Sequence, residues 1–203
     1  MSATINFYFA CPSPWSYLAL DALKGLAARH GRGIAYKPID VEHAWKETGT
    51  GRPLGEKPQA LQNYRNVDLP RWAAFRRVEI DPTPKRLVPA TKFLTSRAII
   101  AARQAGGDVY PLVRAFMRGL WVDNKDISEA ATVAALASAA GFDGAALLAA
   151  AGSLAVRDEF AANTAEALQH GAWSVPSMVV DGELFYGQDR LEMIDWRLGG
   201  KKA

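Results

Sequence analysis

The stretch FYFACPSPWSYL, from Phe7 to Leu18, constrains this chain more than any other. An apolar run enters a turn holding two prolines, and the turn runs straight into a helical pattern. Ile5, Phe7 and Phe9 alternate with Asn6 and Tyr8, the period of a strand. Trp15, Leu18, Ala19, Ala22, Leu23 and Leu26 recur at helical spacing. Pro14 suits a first helical turn, where its missing N–H has no partner to lose. Gly31 and Gly33 stop the helix, and residues 34–38 read as a second strand. Strand, helix and strand at this spacing make a βαβ unit with parallel strands and a right-handed crossover. Ser13 thus falls at a helix N-terminus, where N–H groups lack intrahelical partners and the dipole favours negative charge. Serine is also a favoured N-cap whatever the function.

Residues 41–58 carry Gly49, Gly51, Pro53, Gly55 and Pro58 and read as an irregular loop. A polar helix with Leu61, Tyr64, Leu69, Trp72 and Phe75 follows over about 59–77, and Pro70 is expected to end or kink it. Asp81-Pro82-Thr83-Pro84 is a second breaker. From about 90 to 170 the chain is helical and alanine-rich, with Asp126-Ile127-Ser128 as a cap before one helix. Leu112, Val113, Phe116, Met117 and Leu120 form a stripe of core type. Residues 177–180, Asp181-Gly182 and residues 183–186 then read as a hairpin with a two-residue turn. Leu191, Ile194 and Leu198 mark a last helix, which Asp189 can cap with Glu192 three residues on. The class is α/β: one sheet from the first and last parts, with a large all-helical insertion between them.

Composition narrows the function. A formal charge of +3 is too small to imply nucleic acid. Between Arg65 and Arg103, nine Lys and Arg face three acids, which fits a solvated helix face or a pocket for a small anion. The single cysteine, Cys11, rules out an internal disulfide framework and fits a reducing compartment, so a cytoplasmic location is expected. No signal peptide and no membrane helix are expected, because no window approaches about 18 uninterrupted apolar residues. No metal is expected, since no Cys, His or carboxylate pair has ligand spacing.

A βαβ unit followed by a hairpin and a helix is the thioredoxin arrangement. Val175-Pro176 stands where that superfamily carries its cis-proline, although the sequence leaves the isomer open. The two cysteine positions of a Cys-x-x-Cys pair are serines here, Ser13 and Ser16, so disulfide exchange by such a pair is unavailable. Further details carry a narrower resemblance. Phe7-Tyr8-Phe9, Ser13-Pro14-Trp15-Ser16-Tyr17, Asp68-Leu69-Pro70-Arg71-Trp72, Trp121 with Asp126-Ile127-Ser128, Val175-Pro176-Ser177 and Phe185-Tyr186-Gly187-Gln188-Asp189-Arg190-Leu191 occur in this order. In this the chain resembles the 2-hydroxychromene-2-carboxylate isomerases, glutathione-dependent bacterial enzymes related to kappa-class glutathione transferases.

The resemblance implies a thioredoxin-like domain over residues 1–85 and 155–203, a helical insertion over 86–154, a homodimer, and one bound glutathione. It implies Ser13 as the catalytic residue beside the glutathione sulfur, and Val175 and Pro176 pairing with the cysteinyl part. Tyr186, Gly187, Gln188, Asp189 and Arg190 would hold the γ-glutamyl end. Lys46 would face a small-molecule substrate, an aromatic α-keto acid, with Thr50 in the same ligand-contacting loop; as a separate expectation from charge, Lys85 or Arg86 would add to the cationic part of the substrate site. Ala10 stands where the family often has an acid, and Thr50 about where it has asparagine. The implied reaction is a glutathione-dependent cis-trans isomerisation of a 2-hydroxychromene-2-carboxylate type of keto acid in aromatic catabolism. Two alternatives stay open: a kappa-like transferase or peroxidase, and a non-catalytic module binding glutathione or a peptide. The chemistry suits the residues. A thiol with a pKa near about 8.5 needs help to ionise at neutral pH, and a helix N-terminus with a donating hydroxyl gives it. His30, His43 and His170 lie far from Ser13 in sequence, so no base for the serine itself is evident.

Overall fold

A computed structural model describes residues 4–84 and 93–200. Strand β1 (Thr4–Phe9) is central and alternates as its sequence requires. Ile5, Phe7 and Phe9 are fully buried in the main apolar core, whereas Tyr8 belongs to a second cluster, with Ala167 and Val179. Phe7 and Phe9 stack at 5.1 Å, with Tyr36 edge-on to both rings. Burying each such ring contributes roughly 1.5–3 kcal/mol.

Helix α1 (Pro14–Arg29) crosses over to β2 (Gly33–Pro38), which pairs with β1 in parallel, Phe7 opposite Tyr36. On the other side β3 (Ser177–Val180) runs antiparallel to β1, and β4 (Glu183–Tyr186) completes the order β2-β1-β3-β4. The hairpin turn is Asp181-Gly182, both with positive φ (50° and 87°), the geometry that the Asp-Gly pair favours. The last helix is α9 (Leu191–Leu198). This is the expected thioredoxin-like βαβ … ββα arrangement.

Between the two halves lie α2 (Val41–Thr48), α3 (Gln59–Arg76), α4 (Leu94–Gln104), α5 (Tyr110–Trp121), α6 (Ala130–Ala139), α7 (Gly144–Ala151) and α8 (Leu154–Gln169). The α5 stripe from Leu112 to Leu120 is fully buried, in the same core as Ile5, Phe7 and Phe9. The insertion and the sheet therefore share one interior. Among the described residues, no helix is long and apolar enough to cross a membrane.

Three expectations are corrected. Residues 41–58 are not all loop: Val41–Thr48 is helical, and Leu54–Glu56 forms a 3-10 turn. Asp40 caps α2 by accepting from the His43 N–H at 2.9 Å, Val41 and Ala44 are buried, and left-handed Gly49 ends the helix. Of the two outcomes expected at Pro70, an end or a kink, the end does not occur, for α3 runs through it. Leu69 and Ala73, on either side, are buried against Leu18 of α1, and this packing offsets a proline penalty of about 3 kcal/mol. Asp126 makes a local turn, accepting from the Ser128 N–H at 2.9 Å, while α6 starts later behind Glu129.

Candidate active site

Ser13 is the N-cap of α1 in extended conformation, and its Oγ accepts from the Ser16 N–H at 3.1 Å. A hydroxyl that accepts in this way keeps its own proton to donate. Pro14 opens the helix, and the first turn holds no acidic side chain, so nothing in that turn neutralises the positive end of the dipole. The turn before Ser13 is pinned from both sides. The Ser13 N–H donates to the Ala10 carbonyl at 3.0 Å, and the buried Trp121 indole donates to the Cys11 carbonyl at 3.2 Å.

Cys11 lies two residues from Ser13 but has the opposite character. It is fully buried, and that burial, only partly offset by the Thr95 hydroxyl, pushes its thiol up to about 12. Cys11 is a packing residue, and the half-buried hydroxyl of Ser13 is the group the helix end presents.

The Val175–Pro176 bond is cis. Val175 is 7% exposed, yet among the described residues its N–H and carbonyl have no hydrogen-bond partner. A buried main chain normally pairs, so this is an edge shaped to take another chain's backbone. The Pro176 carbonyl accepts from the Gly187 N–H at 2.9 Å, which joins the two late motifs into one surface. Gly187 has φ 108° and ψ 148°, a backbone conformation that favours glycine, and a Cβ there would also push aside the Asp189 carboxylate, whose oxygen would stand 2.3 Å away.

These motifs form one wall of a pocket of about 200 Å³, made by Val175, Pro176 and the Tyr186–Asp189 turn. Trp15, Asp68 and Trp72 form the facing wall. Asp68 and Trp72 come from α3, which Arg76 ties to the opposite wall. Its guanidinium donates to the Gln188 side chain at 3.0 Å and to the Gln188 carbonyl at 2.8 Å, and it pairs with Glu192. Asp68, Trp72 and Arg76 follow at four-residue spacing on one helix face. That spacing is the signal by which sequence reasoning could have found them, and it was outweighed by the helix's overall polarity.

The other expected residues sort as follows. Val175, Pro176, Tyr186, Gly187, Gln188 and Asp189 line the pocket; Ser13 and Arg190 are not among its lining residues, and stand in sequence two before Trp15 and one after Asp189. Asp189 does not cap α9, because a 3-10 turn over Gln188–Arg190 precedes that helix and Arg190 takes the cap position. The Asp189 carboxylate instead pairs with Arg190 at 2.9 Å. Lys46 and Thr50 are exposed on and just after α2 and do not line the pocket. Their helix is fastened beside it, since the Trp45 indole donates to the Ser174 hydroxyl at 3.1 Å. Lys85 lies outside the described residues. Among the described residues, no three His, Cys, Asp or Glu side chains group as a metal would require.

Residues 4–199 match the model of the DSBA-like thioredoxin domain. The chain is 33% identical over 200 residues to a 2-hydroxychromene-2-carboxylate isomerase of Sphingobium xenophagum, covering 96% of this chain and 97% of that one. It is 26% identical to the enzyme of the same name from Pseudomonas putida, with 96% and 94% covered. A solved structure of 2-hydroxychromene-2-carboxylate isomerase superposes with a TM-score of 0.79 at 25% identity, covering 97% of this chain and 94% of that one.

Proposed function

The chain belongs to the DSBA-like thioredoxin-domain family, among the 2-hydroxychromene-2-carboxylate isomerases, and from that premise we propose that it is a glutathione-dependent isomerase. Its substrate is an aromatic or conjugated α-keto acid of the 2-hydroxychromene-2-carboxylate type, and its setting is aromatic catabolism in the cytoplasm. The observation that carries the reading is the Ser13 cap: a helix N-terminus with no acid in its first turn and a hydroxyl proton free to give.

Bound there, glutathione would supply a thiolate, a nucleophile able to add reversibly to a double bond conjugated with a keto acid. Ser13 donates its proton to the sulfur and, with the N-terminus of α1, favours the charged form. The Val175 N–H and carbonyl hold the peptide main chain in strand-like pairing. The Tyr186–Asp189 turn holds the γ-glutamyl end, with Arg190 beside it. Lys46 and Thr50, on the helix fastened at Ser174, meet the substrate's carboxylate and carbonyl, where a cation stabilises developing negative charge. Lys85 belongs to the same group in this proposal, and the assembly is a homodimer, which sedimentation would test.

The deciding experiment follows the ultraviolet spectrum of 2-hydroxychromene-2-carboxylate with purified protein, with and without glutathione. The expected result is glutathione-dependent conversion that falls about 100-fold in Ser13→Ala, the scale of losing one preorganised donor. Conversion that ignores glutathione, or that survives Ser13→Ala undiminished, overturns the reading.

A further inference from the structure

Trp45 on α2 and Ser174, next to the Val175 edge, are 129 residues apart in the chain and share a hydrogen bond. We propose that Trp45 is a positioning residue for the reaction: it fixes the Lys46–Thr50 segment, which meets the substrate, against the edge that holds the thiol. This rests on the function proposed above and deepens it by naming what sets the distance between the two halves of the site.

The join is held from both sides. The Trp45 indole donates to the Ser174 hydroxyl at 3.1 Å. Ser174 is itself anchored, because the buried Ser177 hydroxyl at the start of β3 donates to the Ser174 carbonyl at 2.7 Å. The Trp45 ring packs against the cluster that holds Tyr8, Val175 and Val179, so it rests on the same interior as the edge. Through this one side chain α2 is tied to the central sheet.

The chain beyond α2 is fitted to the same ring. Gly51 lies so close to the indole that a Cβ there would overlap its Cγ, Cδ1 and Nε1, atoms that cannot move aside without moving the whole ring. Thr48 donates to the Ala44 carbonyl at 2.7 Å and shares a 2.7 Å hydrogen bond with the Thr50 hydroxyl, which sets the direction in which the chain leaves the helix. Lys46 directly follows Trp45, and Thr50 directly precedes Gly51. Both substrate contacts are therefore flanked by parts of one packed unit, although both are exposed and neither lines the thiol pocket. A misplacement of about 1 Å can cost about 100-fold in rate, so an exposed cation on a short helix needs such support.

A double-mutant cycle on the glutathione-dependent conversion of 2-hydroxychromene-2-carboxylate tests this, with glutathione affinity from titration calorimetry and Tm recorded for every variant. Trp45→Phe keeps an aromatic ring beside Gly51 and removes the N–H, and Ser174→Ala removes its acceptor. Each is expected to lower kcat/KM for the keto acid about tenfold, chiefly through KM, with glutathione affinity unchanged and Tm lowered by no more than about 4 °C, the scale of one hydrogen bond. The double variant is expected to match the single ones, because both remove the same bond. Gly51→Ala, which pushes the indole off Ser174, is expected to lose activity in the wild type but little further in Trp45→Ala. Losses that multiply in the double variant, losses that follow Tm or glutathione affinity, or an undiminished kcat/KM in Trp45→Phe and Ser174→Ala overturn the role of Trp45 and leave the function standing. A wild type with no glutathione-dependent conversion overturns the function itself, and the role with it.

Discussion

One wall of the pocket is made of backbone and the other of side chains. In the Val175–Pro176 and Tyr186–Asp189 wall, the working parts are an unpaired main chain, a Pro176 carbonyl bonded to the Gly187 N–H, and a turn that only glycine fits. In the α3 wall, Asp68 and Trp72 stand on a helix, on either side of Pro70, and contribute through their side chains. Backbone walls are written in local chemistry, in Pro, Gly and Asp-Gly. Side-chain walls depend on which face of a helix the rest of the molecule turns toward the cavity, and here Leu69 and Ala73 against Leu18 decide that.

The strongest test of this contrast severs the two walls. Arg76 is buried to 9% side-chain exposure and is the tie between them. Arg76→Ala leaves buried Gln188 without its donor and releases Glu192. A loss of about 3 kcal/mol is expected from these charged hydrogen bonds, read as a fall in Tm of about 6–12 °C for a chain of this size. A wall pair that stands without Arg76 would show no change in glutathione affinity.

Gly187→Ala acts on the backbone wall alone. Its φ of 108° and the 2.3 Å approach of Asp189 predict a cost of about 2 kcal/mol. Glutathione affinity falls with it, while an alanine in the α3 wall at Trp72 weakens binding without comparable loss of Tm. Equal Tm losses in the two variants would erase the distinction between the walls.

Asp40→Ala removes the cap of α2 and loosens the helix fastened at Ser174. About 1 kcal/mol is expected, roughly 2–4 °C in Tm, with KM for substrate raised more than kcat is lowered.

The smallest effect belongs to a cluster that lines neither wall. Burial alone would raise the Glu166 carboxyl, but Lys37, at 2.6 Å, and the Tyr8 hydroxyl, at 2.8 Å, outweigh it and hold it below the usual range. Glu166 therefore stabilises the fold above the ordinary glutamate pKa of about 4.3 and loses that contribution as pH falls through this value and below. Glu166→Gln is expected to cost under about 1 kcal/mol at neutral pH, given solvent screening. The gap in Tm from wild type should shrink on acidification, with glutathione binding unchanged. A gap that widens toward acid would reverse the sign.

Much of this was readable from residues alone. The β1 alternation, the Ser13 turn, the hairpin at Asp181-Gly182 and the α5 core stripe all appear where their patterns place them. Helix α2 is hidden in the sequence because five glycines and prolines from its C-cap onward outweigh a sound cap at Asp40. Arg76 counts in the sequence only among the basic residues of a polar helix, and Asp68 only as part of the Asp68–Trp72 motif, with no role of its own. The cap role expected for Asp189 gave way to a 3-10 turn that starts from Gly187, itself bonded to the distant Pro176 carbonyl.

The sequence by itself determined the sheet, the crossover and the serine at the helix end, because alternation, helical spacing and capping act over a few residues and need no distant partner. Tertiary structure decided that Arg76 ties α3 to the Gln188 turn, that Pro70 lies inside a helix, and that Cys11 is buried while Ser13 is presented. Those outcomes are set by burial and by charges more than a hundred residues apart, as when Arg76 meets Glu192, and no local pattern encodes such distances.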